Sequence, residues 1–179
     1  YNSDFTGDSH ITFAGNASIV YTASTQGIVG GNLGDGGSKQ INYSGNIYMT
    51  FGGECGINHN VIGASRNKNA FTKGDVEIRI EDNAYSYYSI YAGGYSNGLD
   101  GNTKVYVNGG DINGSIFGGS YAGTVTGNTY IEINSGKLCY YRVNIFSSGS
   151  EPVGTKNVFG GGATGSMVNG TATIVMNGG

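Results

Sequence analysis

Apolar and polar residues alternate along this chain in short bursts, and the bursts recur. Six segments follow one template of a glycine, usually an asparagine or aspartate, and then an alternating run: GDSHITF from Gly7, GNIYMTF from Gly45, GDVEIRI from Gly74, GNTKVYV from Gly101, GNTYIEI from Gly127 and GTATIVM from Gly170. Four residues after the glycine stand Ile11, Met49, Ile78, Val105, Ile131 and Ile174; six after it stand Phe13, Phe51, Ile80, Val107, Ile133 and Met176. All are apolar. The interleaved columns are mostly polar or amphipathic: Thr12, Thr50, Arg79, Tyr106, Glu132 and Val175, preceded by His10, Tyr48, Glu77, Lys104, Tyr130 and Thr173. Side chains alternate across a strand, so the template predicts a β-strand whose apolar columns face inward and whose other columns face solvent.

A second block follows each of the first five strands: IVGG at Ile28, VIGA at Val61, IYAG at Ile90, IFGG at Ile116 and VFGG at Val158. Two registers recurring together mark an internal repeat. The template glycines lie 38, 29, 27, 26 and 43 residues apart. A unit of about 26 residues cannot bury its own apolar face and gains a core by stacking on its neighbours. The predicted fold is therefore all-β, a parallel β-helix (β-solenoid) of about five rungs with longer inserts, forming one domain over residues 1–179.

The recurrent small residues fit this reading. The template glycine is expected at a turn that needs positive φ or close backbone approach, and the Gly/Ala block at a corner with no room for a side chain. Asp8, Asn46, Asp75, Asn102 and Asn128 share one register and are predicted to form a structural ladder between successive rungs. The chain opens at Tyr1 inside one unit and stops at Gly179 after a sixth strand without its second block. It reads as a segment of a longer repeat protein, or as a subunit that stacks end to end through bare sheet edges.

Composition narrows the alternatives. Leucine occurs only three times while Ile and Val dominate, which excludes a helical bundle. The 35 glycines lack a three-residue period and accompany a single proline, which excludes collagen. A net charge of -3 with nine scattered basic residues gives no footprint for nucleic acid. No apolar run approaches the roughly 20 residues of a membrane-spanning helix.

With its GNTxVxV and IFGG blocks, the sequence resembles the glycine- and asparagine-rich repeats of adhesin-like surface proteins of bacteria and archaea. The likeness is greatest in GNTKVYVNGGDINGSIFGG from Gly101 and VFGGGATGSMVNGTATIVMNGG from Val158, and looser from Gly7 to Gly94. It departs in the long inserts after Gly7 and Gly127 and in the Gly170-Thr171 step. The resemblance implies a parallel β-helix, export to the cell surface and a role as stalk or adhesive module. A glycan or a host or cell-surface protein would then be the partner.

Clustered chemistry is sparse. Glu77, Arg79 and Glu81, with Lys104 one rung from Glu77, form the densest charged group. Glu77 and Lys104 read as a cross-rung surface ion pair, and the group is not expected to be the carboxylate cluster of a polysaccharide lyase or hydrolase. Cys55 and Cys139 fall three rungs apart, about 14 Å, beyond disulfide reach. His10 and His59 lie in different registers without zinc spacing. GGNLGDGGS from Gly30 is read as a flexible turn rather than a calcium repeat, and the outward columns carry no Thr-x-Thr array of the kind ice binding uses. No catalytic residue, metal site or cofactor is expected. Tyrosine is the remaining feature. Tyr85, Tyr87, Tyr88, Tyr91 and Tyr95 crowd one stretch, and Tyr140 and Tyr141 open an insert that carries Pro152. They could bind sugar rings or a protein partner, or else stack from rung to rung.

Overall fold

The computed structural model describes residues 3–19, 27–138 and 157–179, which contain strands and no helix. Every strand pairing among them is parallel, and the strands form three sheets. The first sheet takes Phe5–Thr6, Ile41–Ser44, Ala70–Lys73, Leu99–Asp100, Thr124–Val125 and Met167–Val168. The second takes the template strands Ser9–Phe13, Ile47–Phe51, Val76–Ile80, Thr103–Ile112, Thr129–Leu138 and Ala172–Met176. Ser18–Ile19, Gly56–Ile57 and Tyr85–Ser86 join it beside the far half of Thr103–Ile112. The third holds Ile28–Val29, Val61–Ile62, Ile90–Tyr91, Ile116–Phe117 and Val158–Phe159, which are the second sequence blocks. The chain visits the sheets in the same order in each repeat, and each visit pairs with the one before.

Pairing is in register along the template strands. Ile11, Met49, Ile78, Val105, Ile131 and Ile174 are successive Cα partners, as are Phe13, Phe51, Ile80, Val107, Ile133 and Met176. From the second to the fifth repeat these side chains are at most 1% exposed, whereas Ile174 and Met176, uncovered on one side, are 40% and 63% exposed. Burying one such side chain contributes about 1.5–3 kcal/mol, a gain that only stacking supplies.

A further inward column, two residues after the template glycine, reads Ile47, Val76, Thr103 and Thr129 and is also buried. Its threonines break the apolar pattern and are satisfied locally. Thr103 Oγ1 donates to the Gly118 carbonyl at 2.6 Å, and Thr129 Oγ1 to the Gly160 carbonyl at 2.6 Å. Without those bonds a buried hydroxyl would cost free energy.

The template glycines stack on one another. A Cβ at Gly45, Gly74, Gly101, Gly127 or Gly170 would run into the carbonyl oxygen of the template glycine one repeat earlier. Gly74 also has φ +136°, outside the range that L side chains favour. Gly74→Ala is therefore expected to cost about 1–3 kcal/mol in urea unfolding. Gly161, whose Cβ would meet open space, should accept alanine within about 0.5 kcal/mol.

Candidate functional site

Three polar ladders run along the stack of repeats. In the first, the backbone N–H of Asn46 donates to Asp8 Oδ1 (2.7 Å), Asp75 to Asn46 (2.9 Å), Asn102 to Asp75 (2.9 Å), Asn128 to Asn102 (2.8 Å) and Thr171 to Asn128 (2.8 Å). Each side chain thus captures the amide of its successor at the tight turn, where the strand ladder offers no partner. The second ladder was not read from the sequence. Asn108 Nδ2 donates to Glu81 Oε1 (2.9 Å), Asn134 Nδ2 to Asn108 Oδ1 (2.8 Å) and Asn177 Nδ2 to Asn134 Oδ1 (2.7 Å). The seventh position after the template glycine carries its signal. The third precedes the third sheet, where Ser89 N–H reaches Asn60 Oδ1 (3.1 Å), Ser115 N–H reaches Ser89 Oγ (3.2 Å) and Asn157 N–H reaches Ser115 Oγ (3.2 Å).

Beyond the template strands the second sheet bends. Gly15, Gly53 and Asp82 have φ of +63°, +67° and +55°; in the next repeats the left-handed residue is Gly110 (+78°) and then Gly136 (+107°). Pairing between Thr103–Ile112 and Thr129–Leu138 shifts register at Asn108 and again before Asp111, as bulges do. Asp82 is the non-glycine residue at this bend, and its Oδ2 accepts the Gly53 N–H at 2.8 Å. The bend encloses an open cleft of about 620 Å³ walled by Glu54, Asp82, Asn83, Tyr85, Asp111 and Lys137. Gly109, Gly110 and Gly136 complete its lining.

The structure scatters the tyrosines over several places. Tyr85 and Tyr87 meet edge-on at 5.4 Å, and Tyr85 lines the cleft. Tyr88 lies 6.5 Å from His59. On the third sheet Tyr91 stacks on Phe117 at 5.0 Å, and Phe117 on Phe159 at 4.9 Å. Tyr95 stacks on Tyr121 at 4.4 Å, with the Arg66 guanidinium 5.5 Å from the Tyr95 ring. Tyr140, Tyr141 and Cys139 lie outside the described residues.

The charged group around Arg79 is held internally. Arg79 Nε donates to Glu77 Oε1 at 2.7 Å, its Nη1 lies 3.8 Å from Glu81 Oε1, and the guanidinium sits 4.4 Å from the Tyr106 ring. Register does place Lys104 beside Glu77, but the ion pair that Glu77 forms is with Arg79, two residues along its own strand. The bidentate reach of guanidinium, unlike an ammonium, spans both glutamates. Tyr130 donates to Glu132 Oε2 at 2.8 Å, which raises its phenol above the ordinary range. Cys55 is a buried free thiol, pushed up by that burial. His10 stacks on Tyr48 at 4.7 Å. The glycine-rich turn after Gly30 is clamped by Asn69, which donates from Nδ2 to Asp35 Oδ1 at 2.8 Å and accepts the Gly36 N–H at 3.0 Å. Among the described residues no cluster of three His, Cys, Asp or Glu side chains is placed to hold a metal ion, and no helix is long and apolar enough to cross a membrane.

No protein family, curated protein or solved structure matches the chain.

The first ladder makes a local prediction. Asn102→Ala removes the acceptor for the Asn128 N–H and the donor that reaches Asp75 Oδ1. It is expected to cost about 0.5–1.5 kcal/mol in urea unfolding and to speed hydrogen exchange at the Asn128 amide.

Proposed function

We propose that this chain is a non-enzymatic structural module, a parallel β-solenoid of about five rungs that extends or presents a cell-surface protein outside the cell. The observation that carries the reading is the register. Five consecutive strand pairings match template strand to template strand, with the same two columns inward throughout. Such a repeat builds length and stiffness by adding units, which suits a stalk. The densest charged group favours the same reading, because Glu77 and Glu81 are both engaged by Arg79 as part of the wall. The resemblance to adhesin-like repeats is the ground for placing the module at a cell surface.

The reading has a direct chemical test. Incubation with neutral and acidic polysaccharides is expected to release no new sugar ends or unsaturated products. Product formation that disappears in Glu77→Gln would overturn it in favour of a polysaccharide-degrading enzyme.

A second reading, end-to-end stacking, is favoured by the last repeat. Met167, Ile174 and Met176 are 59%, 40% and 63% exposed on the outermost strands Met167–Val168 and Ala172–Met176 of two sheets. A further strand, from a second copy or from flanking chain, would bury them. For this sequence on its own, that reading predicts filaments by electron microscopy that shorten or vanish in Met176→Glu; monomers at high protein concentration would remove it.

A further inference from the structure

We infer that the glycine-lined cleft at the bend of the second sheet is a saccharide-binding site, which takes a short oligosaccharide without acidic groups. The inference goes beyond the scaffold reading, and neither stands on the other. It also narrows the five clustered tyrosines to Tyr85, with Tyr87 as its brace.

Shape is the first support. The cleft of about 620 Å³ falls within the roughly 300–1,000 Å³ of small-ligand sites. Its walls come from four consecutive repeats, Glu54 on the second through Lys137 on the fifth. Three steps at about 4.8 Å give it a length of about 14 Å along the stack, a trough for a linear molecule rather than a pit for an ion.

The fold keeps three lining positions free of side chains. A Cβ on Gly109 would strike the Asp82 carbonyl, one on Gly110 the Ala84 carbonyl, and one on Gly136 the carbonyls of Gly109 and Gly110. No side chain can be placed at these three positions without moving backbone. Tyr85 is laid over Gly56, since a Cβ there would collide with its ring, and Tyr87 braces it edge-on. A braced, half-buried ring in a cleft also lined by side-chain-free glycines offers a platform for the C–H face of a pyranose at little further loss of side-chain freedom.

Lining chemistry selects the ligand class. Apart from the Tyr85 ring, the walls carry only polar side chains, Glu54, Asp82, Asn83, Asp111 and Lys137. Carboxylates accept from hydroxyls, and the amide and ammonium donate to them, which matches a molecule rich in O–H groups. A peptide would instead call for apolar pockets for its side chains, and the cleft has no aliphatic residue in its lining. Three carboxylates face one ammonium, so a uronate or sulfated chain would meet a rim of its own sign.

The test is titration of the whole chain by calorimetry and by backbone-amide NMR. Probes are cellotetraose, chitotriose, trigalacturonate and a trilysine peptide. Saturable binding of cellotetraose or chitotriose is expected at millimolar or lower concentration, with the largest amide shifts at Gly109, Gly110 and Gly136. Tyr85→Ala should weaken it at least about ten-fold, and Tyr130→Ala, which alters a tyrosine outside the cleft, should leave it unchanged. Asp111→Asn, which keeps the shape of the side chain, gives a second reading of the site if Tyr85→Ala fails to fold. The proposal is overturned if neither neutral sugar binds, if only trigalacturonate or trilysine binds, or if the shifts map to the Tyr91–Phe117 column. Failure here would leave the polysaccharide-turnover and filament results untouched.

Discussion

A glycine Cα pressed against the carbonyl of the glycine one repeat earlier is the contact on which the rest of this structure depends. At Gly45, Gly74, Gly101, Gly127 and Gly170 there is no space for a side chain, so no other residue type fits that place against the preceding repeat without moving backbone. A slip by one residue would turn every side chain to the opposite face of the sheet and place Glu77 or Arg79 where Ile78 and Ile80 are buried. The glycines thereby protect a core that no single repeat possesses. The Asn/Asp ladder reinforces the same seating from the neighbouring residue, because each Oδ1 finds an amide only when the register is correct.

Much of this was legible in the sequence because stacking forces like onto like. The columns through Ile78 and Ile80 and the residues Asp8, Asn46, Asp75, Asn102 and Asn128 recur at a fixed offset from a glycine, and a fixed offset becomes a fixed place in a sheet. Where residue types within a column diverge, the reading fails. The third ladder mixes Asn60 with Ser89 and Ser115, chemically equivalent as acceptors but unlike as letters. Thr103 and Thr129 look like surface residues until the carbonyls that satisfy them are seen. The cleft was illegible for a different reason. It arises from a change of register between neighbours and from where the left-handed residue falls, and neither leaves a periodic trace.

The outer surface divides along the same line. Much of it repeats: aromatic rings lie on rings, as Tyr91 on Phe117 and Tyr95 on Tyr121, and charges are closed among themselves around Arg79. Repetition of this kind presents similar chemistry from one repeat to the next. At the bend the column Gly56, Tyr85, Asp111, Lys137 changes character at every step. Specific recognition needs unlike groups held at fixed spacing, and a regular lattice supplies them only where its regularity is interrupted.

All three polar ladders point the same way. In each the acceptor belongs to the earlier repeat and the donor to the later one, whether the donor is the Asn102 amide, the Asn134 carboxamide or the Ser115 amide. The molecule therefore has a grain. Each repeat supplies the acceptors that the donors of the following repeat fill, and in turn finds its own acceptors on its predecessor.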